Sequence, residues 1–261
     1  FTYLFYLRSI SEGVLQIQTY FCFDETFNPN DNTQNIPIVF KKTGLKPVKD
    51  YKTADIIFTY KHDHFFELDS IPYSERCKYI YGLRSVNLFA SKGTLPLIVP
   101  KDIVPKTWVL KSSKQRNDLI THFSKNGKPT KQLLLKSNQQ RQIGLKIVSS
   151  IDDVIYHENY VVCQEILKDP FLVNKVKIDI RVYVLIVCNF EPNMYIFNDG
   201  FIYYAKSEYT PKKNSIYSRD SIISSGYTDR KIYENNPLTL QDLFVTIGPD
   251  KANRLQTNIR A

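Results

Sequence analysis

The chain has 261 residues, 43% of them hydrophobic, with 35 Lys and Arg against 26 Asp and Glu, a formal net charge of +9. That is enough apolar material for one large core or two to three smaller subdomains, and no apolar run is long enough to cross a bilayer. The positive balance points to a polyanionic partner: nucleic acid, nucleotide phosphates or acidic polypeptide tails.

The opening run Phe1–Leu7 is aromatic and apolar but stops at Arg8, which excludes a membrane span and argues against a complete signal peptide. A first residue of Phe rather than Met is what a fragment or processed product would show. Cys22, Cys77, Cys163 and Cys188 are scattered, with no C-x-x-C pair and no Asn-x-Ser/Thr sequon, the pattern of reduced thiols in an intracellular protein. Lysines are spread along the chain and aromatics do not interleave with Arg, which argues against nucleic acid as the partner.

An Asn-rich stretch, Asn28–Asn32, reads as a turn or insertion. Ile36–Phe40 reads as a short strand, Thr43–Val48 as a turn with a second short strand, and Asp55–Tyr60 as a buried strand, together a small α/β lobe over residues 1–91. His62 and His64 flank Asp63, and two histidines without a third ligand nearby read as loop residues. Ser113–Asn126 places Leu119, Ile120 and Phe123 at helical spacing, with Gly127 and Pro129 as stop signals. Gln132–Lys136 and Gly144–Val148 read as two strands around a polar loop, a hairpin whose backbone amides and lysines could close over a triphosphate. Ser150–His157 reads as a short helix capped by Ser150 or Asp152.

Tyr160–Tyr183 organises the rest. Two β-branched runs enclose a polar break at Lys168-Asp169-Pro170, and the second carries Lys177, Asp179 and Arg181 at alternate positions. Residues two apart in a strand share a face, so an ammonium, a carboxylate and a guanidinium line one side while Val176, Ile178, Ile180 and Val182 line the other. Such a triplet also fits a solvated salt bridge. The apolar run Val184–Val187 that follows places it instead at the wall of a cleft. Downstream, Met194–Phe197 and Phe201–Tyr204 read as a hairpin turning at Asn198-Asp199-Gly200, and Leu238–Val245 as a helix begun by Pro237.

The block Val161–Val187, with its Gln164-Glu165 hinge, Pro170-Phe171-Leu172 and Lys177-Ile178-Asp179-Ile180-Arg181, resembles the tubulin tyrosine ligase-like family, as does Pro105-Lys106-Thr107-Trp108. The resemblance runs from about Arg84 to Val245. It implies an α/β chain of the ATP-grasp fold, with antiparallel sheets in two lobes, 92–163 and 164–261, following the N-terminal lobe 1–91. It also implies ATP and Mg2+ as cofactors and tubulin, or another acidic polypeptide tail, as partner. The activity implied is ATP-dependent addition of an amino acid (glutamate, glycine or tyrosine) through an acyl phosphate, at the cytoskeleton or cilium in the cytoplasm.

By the same resemblance Lys92 is the phosphate-reaching lysine, and Lys136 and Gly144 belong to the loop over the triphosphate. Gln164, Glu165 and Leu167 border the adenine, and Lys177 and Asp179 approach the nucleoside. Arg181 is the catalytic residue, meeting phosphate and the incoming carboxylate; a guanidinium suits that task because it stays charged and offers a fork of donors. The chain departs from the family pattern at Ser137, in place of a proline, and at Tyr203, in place of a second arginine. It lacks His-Leu-Thr-Asn, and the metal-binding carboxylates are expected beyond Ala261. These departures define the alternative expectation: a catalytically inactive ATP-grasp protein that binds tubulin.

Overall fold

A computed structural model describes residues 17–22, 28–31, 35–58, 71–82, 88, 90–125, 132–139, 144–155, 159–188, 191–210, 217–224 and 230–260. The protein is a mixed α/β chain, with three sheets among the described residues, in two compact units, Tyr6–Ala90 and Ser91–Ala261. His62, Asp63 and His64 lie outside the described residues.

In the first unit, strands β1 (Thr19–Cys22), β2 (Lys46–Pro47), β3 (Ile56–Phe58) and β4 (Tyr79–Tyr81) form a parallel sheet in the order β2-β1-β3-β4. Ile56, Ile57 and Phe58 are all buried, as expected of a central parallel strand. Asn35–Lys42, which includes the expected strand Ile36–Phe40, is instead a helix, α1. Pro37 falls in the first turn, where its missing N–H costs nothing. Lys41 and Lys42 face the negative end of the helix dipole, and Gly44 closes the helix at φ 77°. Phe40 packs its ring 4.3 Å from that of Tyr20 and 5.6 Å from that of Phe58, so burial against the sheet overrides the β-branched propensity. Asp55 ties β1 to β3: its carboxylate accepts from Gln18 N–H, Thr19 N–H and Thr19 Oγ1, each at 2.9 Å, and pairs with Arg76 Nε at 3.2 Å.

The second unit opens with the short helix α2 (Leu95–Ile98) and an antiparallel sheet ordered β5-β8-β6-β7: β5 (Thr107–Val109), β6 (Leu133–Lys136), β7 (Leu145–Val148) and β8 (Val162–Glu165). One face buries Trp108, Leu133, Leu135, Val148 and Cys163 against Leu119 of helix α3 (Ser113–Lys125) and Val154 of helix α4 (Asp152–Ile155). The opposite face presents Thr107, Leu134, Lys136, Leu145 and Gln164, because adjacent strand residues alternate sides.

A second sheet, ordered β11-β10-β9, joins β9 (Leu172–Val173), β10 (Val176–Cys188) and β11 (Pro192–Tyr204). Asn174 and Lys175, at φ 48° and 66°, make the two-residue turn between β9 and β10. The expected hairpin at Asn198-Asp199-Gly200 is absent, since these residues lie inside one continuous strand. They absorb a register shift: Val182 faces Gly200 and Val184 faces Ile196, so Phe197, Asn198 and Asp199 stand opposite Tyr183 alone. Gly200 is required there because a Cβ would run into the Arg181 carbonyl oxygen.

Helix α5 (Arg219–Ile222) is followed by α6 (Leu240–Ile247) and α7 (Pro249–Arg260). Thr239 and Asp242 form a capping box on α6, and Leu240 and Leu243 join Ile178, Ile202 and Tyr204 in the core beneath the β10–β11 sheet. Among the described residues no helix is long and apolar enough to cross a membrane, and all four cysteines are free.

Candidate functional site

A cavity of about 530 Å³ lies within the second unit, between the polar face of the β5-β8-β6-β7 sheet, the start of β10 and the segment after α5. That volume suits a small-molecule ligand. Its apolar wall includes Leu134, Leu145, Ile166, Leu167, Ile222 and Ile223; the isoleucines belong to a cluster with Tyr209 and Tyr217. Lys92, Lys136 and Lys177 enter from three separate segments, against Asp179 and Glu165.

Each ammonium has a defined partner. Lys92 Nζ donates to the carbonyls of Ser137 (2.9 Å) and Gln139 (2.5 Å), pinning the loop that leaves β6. Lys136 Nζ donates to Gln164 Oε1 at 2.5 Å, and Gln164 Nε2 donates to Thr107 Oγ1 at 2.8 Å. Lys177 Nζ pairs with Asp179 Oδ1 at 2.5 Å, while Ser224 Oγ donates to Asp179 Oδ2. Burial pushes the Lys136 ammonium below the usual lysine range; Asp179 opposes this, and Lys92 and Lys177 add to it by repulsion. Burial likewise lowers Lys92. Ammoniums held against an apolar wall, with their charge incompletely offset, favour the arrival of an anion.

Behind Glu165, Lys106 Nζ lies 3.4 Å from His122 Nδ1, and His122 Nε2 lies 3.8 Å from Glu165 Oε1. The Lys106 ammonium also sits 4.8 Å above the Trp108 ring, so α3 and β5 brace this carboxylate.

The structure therefore brings Lys92, Lys136, Gln164, Glu165, Leu167, Lys177 and Asp179 to one cavity. Gly144 stands beside it as a backbone device: φ is 75°, its carbonyl accepts from Ser137 N–H at 2.9 Å, and a Cβ would overlap Ser137 Oγ. Arg181 is exposed and outside the cavity lining, with its guanidinium 4.6 Å from the Tyr203 ring centroid. Ile222, Ile223 and Ser224, which sequence reasoning does not single out, complete the wall. They carry no local pattern, and they reach the site through the antiparallel bridge Ala205–Ser224 and the hydrogen bond from Lys206 N–H to the Asp220 carbonyl.

Residues 73–223, more than half of the chain, match the model of the tubulin-tyrosine ligase family. The chain belongs to the tubulin-tyrosine ligase family. Within that family it is 30% identical over 145 residues to a probable tubulin polyglutamylase TTLL2 of Mus musculus, an alignment covering 54% of this chain and 25% of that protein. It is also 30% identical over 106 residues to a probable beta-tubulin polyglutamylase of Tetrahymena thermophila, covering 40% and 9%. A third relative, tubulin polyglutamylase TTLL7 of Xenopus tropicalis, is 22% identical over 135 residues, covering 51% and 15%. The alignments thus span a quarter or less of the length of these relatives. The tubulin-tyrosine ligase match begins upstream of Arg84 and ends before Val245, and it takes in every cavity residue named above except Ser224.

Proposed function

We propose that this chain carries the nucleotide end of an ATP-dependent ligase of the ATP-grasp type that adds an amino acid to the acidic tail of tubulin, working at the cytoskeleton or cilium. The observation that carries the proposal is the convergence of Lys92, Lys136 and Lys177 on one cavity with an apolar wall. An apolar wall suits a base, and the ammoniums of Lys92 and Lys136 suit a triphosphate, which in such ligases activates a carboxylate as an acyl phosphate. In this reading the polar face of the β5-β8-β6-β7 sheet and the start of β10 belong to the two lobes that grip the nucleotide. Lys136 offsets phosphate charge, Gln164 aims Lys136, and Lys177 and Asp179 hold the nucleoside side. The net charge of +9 favours the Glu-rich tail of the substrate, an attraction that salt weakens.

Mg2+ enters the proposal as the ion accompanying the triphosphate. Among the described residues no group of three His, Cys, Asp or Glu is placed to hold a metal, and Asp179 is engaged by Lys177 and Ser224. Those residues do not fit a magnesium site by themselves, so no step is assigned to the ion.

A second reading, a catalytically inactive member that binds tubulin tails, is favoured by one observation: Arg181 stacks on Tyr203 outside the cavity. Titration with ATP, with and without Mg2+, tests the first reading. Saturable ATP binding weakened about 10- to 100-fold in Lys136→Met, the loss expected for a charge-assisted contact, supports it. Absence of saturable ATP binding, with glutamate-rich peptide still bound, overturns it in favour of the second.

A further inference from the structure

The polarity of the hydrogen bonds behind Lys136 is fixed by chemistry. An ammonium can only donate, so the partner of Lys136 Nζ must be the Gln164 carbonyl Oε1. The Gln164 amide nitrogen then points at Thr107 Oγ1, 2.8 Å away, which has to accept. The Thr107 hydroxyl proton is left for the Pro105 carbonyl at 2.7 Å, an acceptor that cannot donate. Each bond in the chain Lys136, Gln164, Thr107, Pro105 runs in one direction. Turning the Gln164 amide over would set its NH2 against the ammonium.

The strands impose the same arrangement. Thr107 lies directly across from Gln164 in the β5–β8 pair, and Lys136 lies diagonal to it on β6, two residues beyond its opposite number Leu134. Thr107 does not itself line the cavity. We propose that Thr107 is a positioning residue of the cation site: its hydroxyl locks the Gln164 amide so that a carbonyl, and not an NH2 group, meets Lys136 and aims the ammonium into the cavity.

Thr107→Val keeps the shape and removes the hydroxyl; Thr107→Ser keeps the hydroxyl and removes the methyl. In the full chain, Lys136 is followed by mass spectrometry as it reacts with trinitrobenzenesulfonate across pH, a readout that needs no nucleotide. Without its carbonyl partner the ammonium, already facing Lys92 and Lys177 with Asp179 opposing them, loses its proton more easily. The expected result is a Lys136 midpoint shifted to lower pH in Thr107→Val and restored in Thr107→Ser. Inorganic tripolyphosphate should bind about two- to tenfold more weakly to the valine variant, the worth of one neutral hydrogen bond.

An unchanged Lys136 profile in Thr107→Val overturns the proposal, as does a serine variant that behaves like valine, since the methyl would then be the cause. If the valine variant does not fold, Thr107→Ala is read by the same two measurements. The triphosphate arm rests on the proposed function and the labelling arm does not. A wild type that ignores tripolyphosphate therefore counts against the nucleotide reading, while the labelling still decides the role of Thr107.

Discussion

Replacing Asp55 by Asn changes one atom in the first unit and should cost far more than a surface substitution. The Asp55 side chain is buried, and every group around it donates: Gln18 N–H, Thr19 N–H and Thr19 Oγ1 to Oδ2, and Arg76 Nε to Oδ1. An asparagine can offer its oxygen to the first three and must then turn its NH2 toward the guanidinium, or offer it to Arg76 and leave the Gln18 and Thr19 N–H groups facing an NH2, while the Thr19 hydroxyl turns its one proton to the Thr53 carbonyl 3.0 Å away. Arg76 is half exposed and can turn to water, so the first option is cheaper and the loss is that of charge-assisted bonds, about 1.5–3 kcal/mol. In hydrogen exchange this is roughly a 10- to 150-fold loss of protection at the Gln18 and Thr19 amides.

The same carboxylate predicts the pH dependence. Burial pushes the Asp55 carboxyl up, but the hydrogen bonds from Gln18 and Thr19 and the charge of Arg76 together outweigh it and hold it below the ordinary range. A depressed carboxyl contributes stability above its unfolded pKa of about 3.9 and loses it as pH falls through the lower folded value. The gap between wild type and Asp55→Asn should be full at pH 7 and close in acid. Urea unfolding at both pH values measures it. A gap under about 0.5 kcal/mol at pH 7, the scatter of ordinary surface changes, or one that persists in acid, refutes the reasoning.

Gly200→Ala should destabilise the β10–β11 sheet by about 1–3 kcal/mol, because the new methyl meets the Arg181 backbone oxygen, which cannot swing aside. Gly93→Ala, whose nearest neighbour would be Ser91 Oγ at 3.7 Å, is the control and should stay within about 0.5 kcal/mol in urea unfolding. Among the thiols, burial pushes Cys163 up to about 12, and its residue is 0% exposed. A thiol reagent at pH 8 should therefore modify exposed Cys188 promptly and Cys163 only as the protein unfolds. Equal rates by mass spectrometry would contradict the packing of β8.

The parts of the fold that were legible in the sequence are those written in local periodicity. The alternation of Lys177, Asp179 and Arg181 with Val176, Ile178 and Ile180 is an elementary strand signal, and β10 follows it. Helix α6, announced by Pro237, starts three residues later because Thr239 and Asp242 supply the cap. Short apolar runs are ambiguous: Ile36–Phe40 has strand propensity, and only contacts with Tyr20 and Phe58 decide for helix. Asp199-Gly200 has turn chemistry, yet the close backbone of Arg181 uses the glycine for space instead. At the site, Lys136 and Gln164 sit on strands with readable faces. Arg181 continues the alternation but meets Tyr203, a cross-strand neighbour that a one-strand pattern does not contain. Ser224 depends on a bridge to Ala205, and no local spacing encodes it.

The irregularity between β10 and β11 has a parity. From Val182 to Val184 the first strand advances by two residues, and from Gly200 to Ile196 the second advances by four. Both steps are even, so the pleat leaves the irregular stretch in the phase in which it entered. Losing one residue from 197–199 would turn Met194 and Ile196 over to the opposite side of the ribbon, whereas losing two would leave their sidedness untouched. At this joint, evolution can shorten the strand in pairs and not singly.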